Sequence, residues 1–311
     1  MSQDQNNQDR GYHRPVLAQE VVDLLAPVLP GVVVDATFGG GGHSRRLLDE
    51  FGEDVKIVAI DRDPQALANA RELGVHAVEG NFADLGALVN SASAGPISGV
   101  LFDFGVSSHQ LDEPGRGFSY RNEGPLDMRM GPDASHSAAE IINEWPEERI
   151  AEVIRRFGEE PLARRIARAI VSGRPYETTS QLSTVVAAAL PAARRRAGHP
   201  ARRTFQALRI AVNDELEAIA KGLDEAIEMI EPTGRVLAIS YHSLEDRIVK
   251  RRLQRGATGC TCPPELPVCG CGKSAELRIL TRKPIRASAA EVEVNNRARS
   301  AVLRAAEKVA A

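Results

Sequence analysis

The sequence is sparing with several things, and each scarcity excludes a class. No apolar run approaches the roughly 20 residues that span a bilayer, which argues against a membrane-spanning chain. Met1 to Arg10 is polar and has no apolar signal core, so a cytoplasmic chain with a disordered start is expected. Only four cysteines occur in 311 residues, and all fall in one short stretch; with no signal core at the start, disulfides are not expected. Aromatic residues make up 4%, with a single tryptophan. A formal net charge of −3 gives no overall excess of the basic residues that a polyanion binder needs.

What is present is an ordinary globular composition, 43% hydrophobic and 26% charged, on a chain long enough for one large or two moderate domains. Charge is unevenly distributed. Between Arg149 and Ile210 there are 13 arginines and no lysine against Glu152, Glu159, Glu160 and Glu177, a formal surplus of nine. A basic module therefore sits inside an acidic remainder.

The most informative stretch is Gly31 to Ser44, in which Val32-Val-Val34 stops at Asp35 and is followed by Gly39-Gly-Gly-Gly-His-Ser44. A continuous β-branched run predicts a parallel strand covered on both faces. The glycines let backbone approach a ligand closely, and a helix begins at Ser44. A dinucleotide loop wants Gly-x-Gly-x-x-Gly/Ala, whereas the last position here is Ser44. A carboxylate ending the strand repels a pyrophosphate and suits a cationic amino-acid head. The spacing from Asp35 to Gly39 and Gly41 resembles the first motif of S-adenosylmethionine-dependent methyltransferases. A purely structural glycine turn is the competing reading.

Val55 to Ile60 predicts a second strand ending at Asp61, an acid about 20 residues past the glycines, where ribose hydroxyls are bound in folds of this kind. Helix capping is the alternative role, although Asp63 before Pro64 suits that better. His76 to Val78 is a third strand, followed by Phe82, either an adenine-stacking ring or a core aromatic. Val100 to Asp103 is a fourth. Asp35, Asp61 and Asp103 thus converge on one carboxyl edge, the ligand-binding edge of open α/β sheets.

From Asp112 to Asn213 the alternation gives way to helical segments over Ser137–Asn143, Glu147–Phe157, Pro161–Ser172, Ser180–Leu190 and Thr204–Leu216. Residues 112–213 are read as an inserted helical substrate-recognition domain. The alternation resumes with a helix over Glu215–Ile230, a turn at Glu231-Pro-Thr-Gly234, a strand over Arg235–Ile239, then Ser240-Tyr-His-Ser243, a charged helix over Leu244–Arg255 and a last strand over Ser300–Ala306. Residues 1–111 and 214–311 form the discontinuous α/β domain, with a cysteine-rich loop at 256–273. Cys260, Cys262, Cys269 and Cys271 suggest a structural zinc, although Cys-x-Cys is tighter than the usual ligand spacing. The signature of zinc deaminases is absent.

Taken together, Asp35-Ala-Thr-Phe-Gly-Gly-Gly-Gly-His-Ser, Ala59-Ile-Asp-Arg-Asp-Pro, Phe102-Asp-Phe-Gly-Val-Ser-Ser-His-Gln-Leu-Asp, Gly124-Pro-Leu-Asp-Met-Arg-Met, Thr204-Phe-Gln-Ala-Leu-Arg-Ile, Ser240-Tyr-His-Ser-Leu-Glu-Asp-Arg and Asn296-Arg-Ala-Arg-Ser resemble the bacterial small-subunit rRNA (cytosine-N4) methyltransferases, the RsmH or MraW family. The resemblance runs from about Tyr12 to the last few residues. It implies a Rossmann-like methyltransferase domain with an inserted helical domain, acting with S-adenosylmethionine on the N4 amine of a cytidine in the decoding region of 16S rRNA within the small ribosomal subunit. Carried over by position, Gly41, Gly42 and His43 lie at the cofactor loop, Asp61 at the ribose, Phe82 near the adenine, and Asp103 and Gln110 near the methionine end. Some relatives lack the cysteine cluster, so the chemistry does not require it. A homodimer is the candidate assembly.

The chemistry constrains the remaining roles. A cytosine amine is a weak nucleophile because its lone pair is delocalised, so it must be aligned with the donor and its acidifying N–H must meet an acceptor. Asp103 is the candidate acceptor, Tyr241 and His242 are stacking or hydrogen-bonding partners of the base, and Asp127 is a further candidate. Cofactor-only contact for Asp103 and packing for Tyr241 and His242 are the competing roles. Arg194, Arg195, Arg196, Arg202 and Arg203, with His199, are expected to neutralise RNA phosphates. A solvated helix face is preferred for Arg164, Arg165 and Arg168. A non-catalytic RNA-binding factor predicts an eroded cofactor edge, and an NAD-dependent oxidoreductase is disfavoured by Ser44 and Asp35.

Overall fold

The computed structural model describes residues 15–93, 95–195, 199–259 and 273–310. The polar start and all four cysteines lie outside the described residues. The chain forms two compact units, one made of the residues up to Gly105 and those from Glu217 on, the other of Val106–Leu216. The sequence reading set the joins at 111/112 and 213/214.

The first unit is built on an eight-stranded sheet of β1 (Gly31–Asp35), β2 (Val55–Asp61), β3 (His76–Glu79), β4 (Ile97–Asp103), β5 (Ile230–Ser240), β6 (Leu277–Ile279), β7 (Ile285–Arg286) and β8 (Val302–Lys308). The order is β3-β2-β1-β4-β5-β8-β6, with β7 also on β8. β1 to β5 are parallel and β8 runs antiparallel to β5. The order reverses between β1 and β4, which opens a crevice at their carboxyl ends.

The central strands read as apolar runs because both faces are covered: Val33, Val34, Val100 and Leu101 are fully buried. Helix α1 (Ala18–Leu25) buries Val21, Val22 and Leu25, and α2 (Gly42–Phe51) buries Leu47, against one face formed by Val33, Ile57, Leu101, Leu237 and Leu303. Helix α3 (Pro64–Glu72) starts at Asp63, whose Oδ1 accepts from Gln65 N at 3.1 Å, the capping role anticipated for it. α4 (Leu85–Ser91) follows β3.

Two features differ from the sequence reading. The turn anticipated at Glu231–Gly234 lies within β5, where Thr233 has φ 69° and the register against β4 shifts between Ile97 and Gly99. A bulge absorbs residues that locally read as a turn. The antiparallel margin also holds β6 and β7, too short for a periodic signal.

In the second unit, α5 (Ser108–Asp112), α6 (Ala138–Glu144), α7 (Glu147–Gly158), α8 (Ala163–Ser172), α9 (Thr179–Ala189), α10 (Ala192–Arg195) and α11 (Arg202–Asn213) surround a separate core that includes Ile141, Ile154, Ile166, Leu182, Phe205 and Leu208. α6 and α9 open with capping boxes at Ser137/Glu140 and Thr178/Gln181. Asp214, with φ 48°, ends α11, and α12 (Glu215–Met229) begins at once, so the overlapping helices expected there are two helices joined by one left-handed residue.

Candidate active site

The turn after β1 is stitched to the neighbouring strands: Ala36 N donates to Leu101 O at 2.9 Å and Phe38 N to Ile60 O at 3.1 Å. Gly39 and Gly41 have φ of 53° and 71°. A Cβ on Gly41 would stand 2.4 Å from the Phe38 ring, whereas one on Gly40 meets nothing within 4 Å. α2 therefore opens directly from a left-handed Gly41, two residues earlier than expected, and His43 and Ser44 fall in its first turn.

Asp35 does not stand free at the strand end. It is 2% exposed, and its Oδ2 accepts from Ser44 Oγ at 2.6 Å. Burial pushes its carboxyl upward, opposed by the Ser44 hydroxyl and His43. The acid thus ties β1 to α2.

Asp61 closes β2 and shapes the glycine turn. Its Oδ2 accepts from Gly39 N at 2.8 Å and its Oδ1 from Asp63 N at 2.9 Å. Burial raises its pKa to about 6, against the pull of those two amides.

Asp103 closes β4, with its N–H on Thr37 Oγ1 at 2.6 Å and 26% of its side chain exposed. Tyr241 donates its hydroxyl to Asp103 Oδ1 at 2.8 Å, and His43 Nε2 lies 3.5 Å from Oδ2. Burial, then the Asp103 charge, push the Tyr241 phenol well above its ordinary value. His43 is 6% exposed, and neither ring nitrogen has a hydrogen-bond partner among the described residues. Burial disfavours its charged form, yet Asp103, Asp35 and Glu291 outweigh that, and its pKa is raised.

Tyr241 and His242 lie on the bend after β5, held by the fully buried Glu245, whose Oε2 accepts from Tyr241 N at 2.7 Å and His242 N at 3.1 Å. His242 caps α13 (Ser243–Ala257), its Nδ1 accepting from Glu245 N at 3.4 Å. Phe82 packs in a cluster with Phe102 and Phe104, centroids 5.7 and 5.9 Å away, and against Gly222 of α12, where a Cβ would stand 2.8 Å from its ring.

The first unit thus brings together Asp35, the glycine turn, His43, Asp103 and Tyr241. Sequence reasoning gave no structural role to Thr37, used Ser44 only to argue against a dinucleotide loop and to start the helix, and passed over Glu291, which carries no local signal. In the second unit, buried Gln110 and Ser107 bond reciprocally: Ser107 N donates to Gln110 Oε1 at 3.1 Å and Gln110 N to Ser107 Oγ at 3.2 Å. Asp127 forms a two-pronged ion pair with Arg129 at 2.8 and 2.7 Å, which holds its carboxyl below the usual range.

Of the arginines assigned to phosphate contact, Arg194 and Arg202 are exposed. Arg203, its side chain 43% exposed, donates to Glu159 O at 2.9 Å and stands 3.4 Å from Glu160 Oε2. The side chain of Arg195 and all of Arg196 lie outside the described residues. His199 stacks on Tyr120, centroids 4.3 Å apart. Arg164, Arg165 and Arg168 are exposed on α8.

A mainly parallel sheet with a reversal in strand order, a glycine turn after its first strand and acids closing β1, β2 and β4 defines a Rossmann-like domain of the methyltransferase class. The chain belongs to the MraW methylase family, whose model matches residues 10–309. A Heliobacterium mobile protein named ribosomal RNA small subunit methyltransferase H is 50% identical over 309 residues, covering 96% of this chain and 99% of its own. Proteins of the same name from Symbiobacterium thermophilum and Brevibacillus brevis are each 50% identical, covering 96% of this chain and 98% of theirs. Among the described residues no helix is long and apolar enough to cross a membrane.

Proposed function

We propose that this chain transfers a methyl group from S-adenosylmethionine to the exocyclic N4 amine of a cytidine in the decoding region of 16S rRNA, with the small ribosomal subunit as substrate. The observation that carries the reading is Asp103, a partly exposed carboxylate oriented by Tyr241 at the edge where the strand order reverses. The names of the relatives support small-subunit rRNA as substrate, and the motif resemblance supports the cytidine amine.

The residues fit this cofactor. The turn leaves open space at Gly40, and the buried His43 beside it has a ring nitrogen, Nδ1, with no hydrogen-bond partner among the described residues. Gly39, Gly41, Gly42 and the backbone of His43 would hold the cofactor at the turn, Asp61 its ribose, Phe82 its adenine and Asp103 its methionine end, with Asp35 bracing the turn. When bound, S-adenosylmethionine supplies an electrophilic methyl group on a sulfonium.

The protein's contribution is position and proton acceptance. Fixing the amine in line removes the entropic cost of the encounter. Asp103 accepts the N–H that acidifies as the nitrogen gains its fourth bond, and Tyr241 holds that carboxylate in one orientation. The target base must leave its stack to reach a crevice, which favours a single-stranded segment. Arg194, Arg195, Arg196 and Arg202 of the helical unit serve the phosphate backbone, with Arg203 shared with Glu159 and Glu160. Titration with S-adenosylmethionine and NAD, followed by methyl-label transfer to small subunits lacking the modification, tests the assignment; binding of the first ligand alone and label in RNA are expected.

A further inference from the structure

His43 is the one buried histidine described at the cofactor turn, and its surroundings are unusual for a residue whose backbone alone suffices to line a glycine loop. Three carboxylates on three different elements act on it: Asp103 at the end of β4, Asp35 at the end of β1, and Glu291 on α14 (Ala289–Val294). Two are committed elsewhere. Asp35 accepts from Ser44 Oγ at 2.6 Å, and Glu291 Oε1 accepts from Leu17 N at 2.8 Å. Asp103 divides its oxygens, Oδ1 taking the Tyr241 hydroxyl and Oδ2 facing His43 Nε2 at 3.5 Å. A closing of about half an ångström brings that pair to hydrogen-bond length. An imidazole that is 6% exposed, with neither nitrogen bonded among the described residues, is costly to bury unless a proton or ligand comes to it.

We propose that His43 holds the proton released from the methylated amine, receiving it through Asp103, and so acts as a positioning residue for that carboxylate. This rests on reading the site as an amine methyltransferase. As the N4–methyl bond forms, the methyl–sulfur bond of the sulfonium donor breaks and its electron pair stays on sulfur. The N–H proton leaves nitrogen for Asp103 Oδ2 and passes to Nε2 of His43, which becomes imidazolium; Asp103 returns to its charged form. The positive charge that began on sulfur ends on His43, next to Asp103, Asp35 and Glu291. Among the described residues these are the charged groups that act on the ring, and all of them favour the protonated imidazole, in keeping with its raised pKa.

The test begins without turnover. In the full-length chain, the histidine NMR signal that His43→Gln removes is expected to titrate above 6.5 and to fall after Asp103→Asn. Single-turnover methylation of small subunits across pH is then compared. The wild-type rate should rise as His43 loses its resting proton, while His43→Gln loses that limb and slows by about tenfold or more. Donor affinity within about threefold of wild type separates this from a lost cofactor contact and reports that the variant is folded. An imidazole titrating at or below 6.5, an unchanged acid limb in His43→Gln, or a rate that falls only in step with donor affinity overturns the proposal. If wild type transfers no methyl group while His43 titrates as expected, the reading of the site fails, and the proton role with it.

Discussion

The Tyr241 hydroxyl donates a 2.8 Å hydrogen bond to Oδ1 of Asp103, joining the bend after β5 to the end of β4. Burial raises the phenol's pKa well above its ordinary value and so favours its neutral, donating form. The bond leaves Oδ2 as the oxygen open to further chemistry. Tyr241→Phe, which keeps the ring, should slow methyl transfer by about tenfold with donor affinity nearly unchanged, the signature of a contact that matters most in the transition state. Asp103→Asn should cut the rate by about a hundredfold or more while keeping donor affinity within about tenfold. Unchanged turnover in Asp103→Asn would remove this residue from the mechanism.

Gly41 tests the proposed cofactor role of the glycine turn. At φ 71°, with a Cβ 2.4 Å from Phe38, alanine is both strained and obstructed. Gly41→Ala is expected to destabilise the turn by about 1–3 kcal/mol and to weaken S-adenosylmethionine binding, read by calorimetry. Alanine at Gly40, where nothing lies within 4 Å, supplies the comparison; equal losses at both positions would dismiss the steric argument.

Asp61 sets a pH dependence. Its folded pKa of about 6 lies above the ordinary 3.8, so its stabilising contribution is complete below 3.8 and is lost as pH rises through about 6. From about pH 5 to about pH 7.5 the wild type should lose roughly 1.4 kcal/mol relative to Asp61→Asn, whose side chain does not titrate. Urea unfolding at the two pH values measures this. A difference independent of pH would mean that the buried carboxyl is not raised.

Asn213 is the keystone of the helical unit. Its Oδ1 accepts from Met130 N at 2.8 Å, and its Nδ2 donates to Met128 O at 2.8 Å and Arg209 O at 2.9 Å. These bonds hold Met128 at φ 62°. Asn213→Leu should destabilise this unit by about 2–4 kcal/mol because buried backbone groups lose partners. Hydrogen exchange over Val106–Leu216 should rise, and unaltered protection there would contradict the assignment.

Arg194 and Arg202 are exposed on α10 and α11. Changing both to Ala should lower the log–log salt slope of RNA binding by about 1.4 to 1.8 if each neutralises one phosphate. Arg203→Ala should act instead on stability, through Glu159 and Glu160. A salt slope unmoved by the double change would acquit both arginines.

Much of this was legible in the chain because buried parallel strands write themselves as apolar runs. Val32-Val-Val34 and Val55 to Ile60 announced β1 and β2, and the acids that end them marked the carboxyl edge of the sheet. β6 and β7 were not legible: three and two residues have no periodicity, and their pairing is set by β8, which is distant in sequence. The turn residues Glu231-Pro-Thr-Gly234 misled because local propensity cannot distinguish a loop from a bulge. At the site, residue types were readable but their commitments were not. Nothing local shows that Asp35 spends an oxygen on Ser44, that Asp61 folds the glycine turn through Gly39 N, or that Glu291 comes to act on His43 from 248 positions away. Such partnerships depend on tertiary closure.

The most direct test of the central claim supplies isotopically labelled S-adenosylmethionine and this protein to small ribosomal subunits lacking the modification, followed by nucleoside mass spectrometry. Label in N4-methylcytidine or its 2′-O-methylated form is predicted, mapping to the decoding region. Label in any other nucleoside, or none despite tight donor binding, would contradict the account and turn attention to the basic helical unit as the basis of a different role.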